Sequence, residues 1–201
     1  MTAAPPAVPS DRLADEGWVE IDRTESVLAD LPVVTVEGTT LVYSDDRLRE
    51  QIAQATDPPI DRSWRFFFAT KLSLDPSPPP GVGPKMFASI VRSQANKAFA
   101  ERLRDRGCRA VEQREKEEIR VRTGETAKLT SYTGQASVDR GGQTHTYPVE
   151  GWVGVWHHDG SFRVAGGAYP TGSLSEIAGV GIDISADKFR TDLFELLRAV
   201  A

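Results

Sequence analysis

The chain has 201 residues, 39% of them hydrophobic and 26% charged, with 29 acidic side chains against 24 basic ones for a formal net charge of −5. That length suits one domain with enough buried surface to fold without a disulfide or metal staple. The composition excludes collagen, coiled coil, wholesale disorder and a membrane-spanning run, and its acidic balance leaves no overall positive field for nucleic acid or anionic lipid.

Residues 1–16 mix prolines, alanines and charges without apolar periodicity, which predicts a flexible N-terminal tail before a single domain over 17–201. They hold no basic and apolar leader, so the expected location is cytoplasmic. Trp18–Ile21 and Val33–Val36 have strand character, and Glu37-Gly38-Thr39 reads as a hairpin turn into Thr40–Tyr43. Ser44 is placed to cap a short helix carrying Leu48, Ile52 and Ala55, which Asp57-Pro58-Pro59 stops. Trp64–Leu74 is apolar on both alternating faces, the mark of a strand covered on each side.

Asp75–Pro84 holds five prolines in ten residues and predicts a stiff extended connection. Pro84 suits the start of a long helix in which Phe87, Val91, Ala95, Phe99 and Leu103 recur at helical spacing, stopped by Gly107. Arg109–Arg122 and Ala127–Val138 are polar strands joined by a turn at Thr123-Gly124-Glu125, and Asp139–Gly142 turns the chain into Thr144–His157. Asp159-Gly160 signals a tight hairpin that pairs Val155 with Val164 and His157 with Phe162. One face of that hairpin then carries Val153, Val155, Phe162 and Val164, and the other carries Trp152, Trp156 and Arg163. Residues 170–184 are rich in Gly and Ser and give no clear element. Ser185 caps a final helix whose stripe is Phe189, Leu193, Leu196, Leu197 and Val200. The fold class that follows is α+β, a single mainly antiparallel sheet with helices packed on its faces.

Chemistry is sparsely signposted. No phosphate loop, dinucleotide loop, Gly-x-Ser-x-Gly elbow or His-Glu-x-x-His occurs, so no catalytic residues and no cofactor are implied. Gly81-Val-Gly83-Pro84 admits an anion at a helix start, although Pro84 removes one donor; a rigid loop start is the plainer reading. Cys108 is the one cysteine, which excludes an internal disulfide. Its neighbours in Arg-Gly-Cys-Arg (106–109) favour a thiolate, while its place at a strand start favours a small apolar residue. Arg102, Arg104, Arg106 and Arg109 form a basic stretch around it, diluted by Glu101, Asp105 and Glu112. His145, His157 and His158 are the three histidines, and adjacent strand residues point to opposite faces, so no metal is assigned. The arginine excess, 18 to 6 lysines, fits a GC-rich genome, and with the surplus of acid it also suits a halophile.

The face with Trp152, Trp156 and Arg163 admits two readings: a core under a helix, or an exposed aromatic surface for a protein partner or a second copy. A cleft between sheet and helix would draw its polar groups from His157, Arg163, Tyr132 and Tyr169. The order of Trp64–Leu74, the long helix to Arg106, the polar strands over 109–138 and Gly151–Tyr169 before the closing helix resembles the fold of PsbP, Mog and LpqN proteins. Its arginine-rich style is similar to that of haloarchaeal proteins. The resemblance implies an α/β/α sandwich that acts as a non-catalytic partner-binding or accessory module. The alternative is a small-molecule-binding protein, or a hydrolase, with a cleft between sheet and helix. No nucleic-acid or membrane partner is expected.

Overall fold

Alternating apolar residues build strands and a three-to-four-residue apolar spacing builds helices throughout the computed structural model, which describes residues 4–31, 34–75, 85–182 and 185–201. In chain order the elements are α1 (Ser10–Asp15), β1 (Trp18–Leu31), β2 (Val34–Asp45), α2 (Asp46–Ala55), β3 (Phe66–Asp75) and α3 (Lys85–Asp105). They continue as β4 (Arg109–Arg120), β5 (Thr126–Arg140), β6 (Gln143–His158), β7 (Ser161–Pro170), α4 (Leu174–Ala178) and α5 (Ala186–Ala199). The strands form one sheet in the order β1-β2-β3-β7-β6-β5-β4. Every pairing is antiparallel. The fold is α+β, as the pattern predicted.

The β6–β7 hairpin has the expected register, with Val155 opposite Val164 and His157 opposite Phe162. Asp159 (φ 44°) and Gly160 (φ 72°) both take the left-handed backbone that a two-residue turn of this hand requires. Pairing across β3, β7, β6 and β5 sorts the sheet into two faces. Phe66, Phe68, Gly166, Ala168, Gly151 and Tyr132 share the face under α3; Phe67, Ala69, Gly167, Trp152 and Tyr169 share the face under α5. Phe99 of α3 packs on Phe68 at 5.9 Å and on Tyr132 at 5.5 Å. Phe194 of α5 meets Trp152 edge-on at 5.2 Å. Phe67, Phe99, Trp152, Phe162 and Phe189 are fully buried, and each contributes on the order of 1.5–3 kcal/mol by leaving water.

Gly167 lets the two layers close. A Cβ built there would lie 2.2 Å from the Phe66 carbonyl oxygen and 2.8 Å from Leu193 of α5. A second tie is ionic. Arg65, just before β3, reaches Asp45 at 2.6 Å and Asp192 of α5 at 3.1 Å, between the rings of Trp18 and Phe189. Asp45 also accepts the Leu48 N–H as the N-cap of α2. Ser185 caps α5 as expected.

Three readings change. Gly38 lies inside β2, paired to Ser26 on one side and Leu72 on the other, so no turn interrupts 37–39. Asp45 takes the cap expected of Ser44 because Ser44 is spent on the β2–β3 pairing. The segment expected as a flexible tail carries α1, buries Leu13 to 2% exposure, and pairs Ala7 with Ala201 through two backbone hydrogen bonds of 3.1 and 2.9 Å. Pro6, Val8 and Leu13 give it just enough apolar surface to dock although it shows no periodicity. The proline-rich connection and the Gly81–Pro84 anion reading lie outside the described residues. Among the described residues, no helix is long and apolar enough to cross a membrane.

Candidate functional site

The sheet separates the six residues that the sequence offered as a binding set. Trp152, Trp156, Arg163 and Tyr169 lie on the α5 face; Tyr132 and His157 lie on the α3 face. Trp152 and Trp156 are buried, at 1% and 4% exposure, so the face expected to be either core or surface is core. Arg190 of α5, not Arg163, lies over the Trp152 ring, at 4.9 Å. Tyr169 donates to Glu150 at 3.1 Å, and burial, with that carboxylate beside it, pushes its phenol far up. Tyr132 donates to the Asn96 carbonyl at 3.3 Å under α3. His157 packs edge-on against Phe162 at 5.1 Å, and burial pushes its pKa down, so it is neutral.

Arg163 is 5% exposed; its Nη1 donates to Ser161 Oγ at 2.6 Å, and its Nε has no partner. Trp156 across the ladder likewise has an unpartnered Nε1. None of the six lines the clefts described below.

Two polar clusters elsewhere are internally balanced. At the β6–β7 tip, His158 Nδ1 is 2.8 Å from Glu125 and Nε2 is 3.3 Å from Asp159. Hydrogen bonds from Thr123 and then His158 hold the Glu125 carboxyl down at about 2. Among the described residues, no group of three or more His, Cys, Asp or Glu is placed to hold a metal. Between α2 and α5, a cleft of about 600 Å³ is lined by Asp45, Arg65, Lys188 and Asp192. Arg65 pairs with both carboxylates there, Lys188 with Asp192 and the lining Glu16 with Arg12, while Arg47 donates to the Asp15 carbonyl.

The α3 face is different. One cavity of about 220 Å³ lies between the middle turns of α3 and strands β2, β3 and β7, walled by Val36, Phe68, Leu72, Val91, Ala95 and Phe99. Thr40 and Thr70 satisfy each other there at 2.8 Å. Among the described residues, Arg102 is its single ionisable lining group, set over the Phe68 ring at 4.8 Å. Burial pushes that guanidinium's pKa down.

One turn further along α3, a second cleft of about 330 Å³ opens over β3, β5, β6 and β7. Its walls include Phe66, Leu103 and Val149, and its polar groups come from Arg62, Arg106, Tyr147 and Cys108. Cys108 is buried, and that burial raises its thiol pKa against the pull of Arg62 and Arg106, so the thiol is protonated and the small apolar reading of it holds. Arg104 and Arg109 of the same basic stretch are exposed. The sequence signal for this cleft was the basic stretch Arg102–Arg109, of which Arg106, one residue past α3, enters it. Arg62 and Tyr147 carried no such signal, because only the tertiary fold brings them there.

A family model described as "Domain of unknown function (DUF6517)" matches residues 5–201. No curated protein and no solved structure matches the chain.

Proposed function

The chain belongs to the DUF6517 family, and we propose that it acts as a non-catalytic accessory module that holds a small, largely apolar molecule between α3 and the sheet. The observation that carries this reading is the apolar cavity of about 220 Å³ beneath Val91, Ala95 and Phe99. Native cores leave few voids larger than a water molecule, and a dry cavity of about 150 Å³ already takes benzene. Its polar lining atoms are few, and the Thr40–Thr70 pair consumes two of them. A single ionisable group, Arg102, is no nucleophile–base pair, which favours holding over turnover. The accessory role expected from the sequence is kept, and the binding task moves from an aromatic face to this cavity.

Naphthalene, followed by its own fluorescence, is the test. Wild-type protein should bind it saturably at one site. Ala95→Leu, which fills the cavity from the helix side, should abolish binding without lowering the melting temperature. Absence of saturation in wild type, or equal binding by the filled variant, overturns the proposal.

A further inference from the structure

We propose that the second α3 cleft is a site for a small organic oxyanion, a carboxylate or phosphate carried on an apolar body. Among the described residues, its lining brings two guanidinium groups together with no Asp or Glu. Arg106 has no ion pair among the described residues, and its guanidinium lies 4.2 Å from the Phe66 ring centroid. Arg62 is held by π-faces too, 5.5 Å from Trp64 and 5.8 Å from Tyr147, and by one bond of 2.5 Å from Nη1 to the Ser137 carbonyl. Ring contacts on a guanidinium face fix its plane and leave its N–H edge open, and that edge matches the two oxygens of a carboxylate or phosphate.

Both cations line the cleft together with Cys108. The acidic group felt by Arg106 at longer range is Asp22, which is not within ion-pair distance. Arg106 is half-buried, and Arg102, four residues back, acts on it as a like charge. An anion at the mouth offsets the like charge that Arg102 sets against Arg106, while Phe66, Leu103, Ala136 and Val149 cover its apolar part. The plain structural role of Arg106, a cation at a helix C-terminus, needs no second arginine arriving from a different segment.

Calorimetric titration with benzoate, phenyl phosphate, inorganic phosphate and benzyl alcohol tests this. The two aromatic anions should bind saturably and compete with each other. Benzyl alcohol, which lacks the charge, and inorganic phosphate, which lacks the apolar body, should each bind at least tenfold more weakly. Arg106→Gln and Arg62→Gln should each weaken benzoate at least tenfold, and Arg104→Gln, exposed on the same helix, should change it less than twofold. Among the described residues the Arg106 side chain makes no hydrogen bond that its removal would break, so that variant keeps the test alive if Arg62→Gln misfolds by circular dichroism. No saturable heat, tight binding of benzyl alcohol, phosphate as tight as phenyl phosphate, or an Arg104→Gln loss equal to that of Arg106→Gln overturns the site. Ala95→Leu should bind benzoate normally, so failure of the naphthalene experiment and failure of this one are separable.

Discussion

Glu125 accepts hydrogen bonds from Thr123 and His158, and these hold its carboxyl at about 2 against an ordinary 4.5. A carboxyl with a folded pKa below its unfolded one adds stability above the unfolded value and gives it up as pH falls. Urea midpoints between pH 6 and 2 should therefore drop more steeply, from about 4.5 down through 2, in wild type than in Glu125→Gln; parallel curves would remove the effect. Cross-strand partners such as Val155 and Val164 were legible in the sequence because a two-residue turn fixes register. The burial of Trp152 and Trp156 was not. Alternation assigns a residue to a face, and whether that face is covered depends on where α5 docks, which no local pattern encodes. Arg163 neighbours the indoles along the hairpin, yet it is Arg190, from α5 further along the chain, that caps Trp152.

At the scale of elements, the contact between α5 and the sheet rests on the absence of a side chain at Gly167. Gly167→Ala puts a methyl group against the Phe66 carbonyl oxygen and Leu193, and neither the ladder nor the helix yields cheaply. The expected cost is about 1–3 kcal/mol or more in urea unfolding, and an unchanged midpoint would mean that α5 sits further from the sheet. The helices α2, α3 and α5 were legible from their apolar spacing, and α5 from its Ser185 cap as well. Gly38 was misread because a glycine next to polar residues looks the same in a turn and in a strand flanked by two partners. The short α4 was illegible, since five residues are too few to show a period.

Across the whole molecule, β7, late in the chain, lies at the centre of the sheet and joins β1–β3 to β4–β6 through its pairing with β3. The candidate clefts inherit that non-locality. The anion cleft draws on residues from Arg62 to Ala168, so it exists only once the sheet has closed, and a linear reading finds its parts without their meeting. The N-terminal segment is also part of the domain. Deleting residues 1–15 should lower the unfolding free energy by about 2 kcal/mol, the worth of burying Leu13, and an independent tail would cost nothing. The backbone bonds between Ala7 and Ala201 have a mechanical corollary. Tension applied through the two ends meets this pair first and opens it bond by bond, as a zipper parts. It then peels α1 from α5, where Arg12 grips Glu195, before any load reaches the ladders of the sheet. Pulled this way the molecule yields from its seam inward at low force. Pulled across β3 and β7, the same sheet would resist in shear, with many bonds loaded at once.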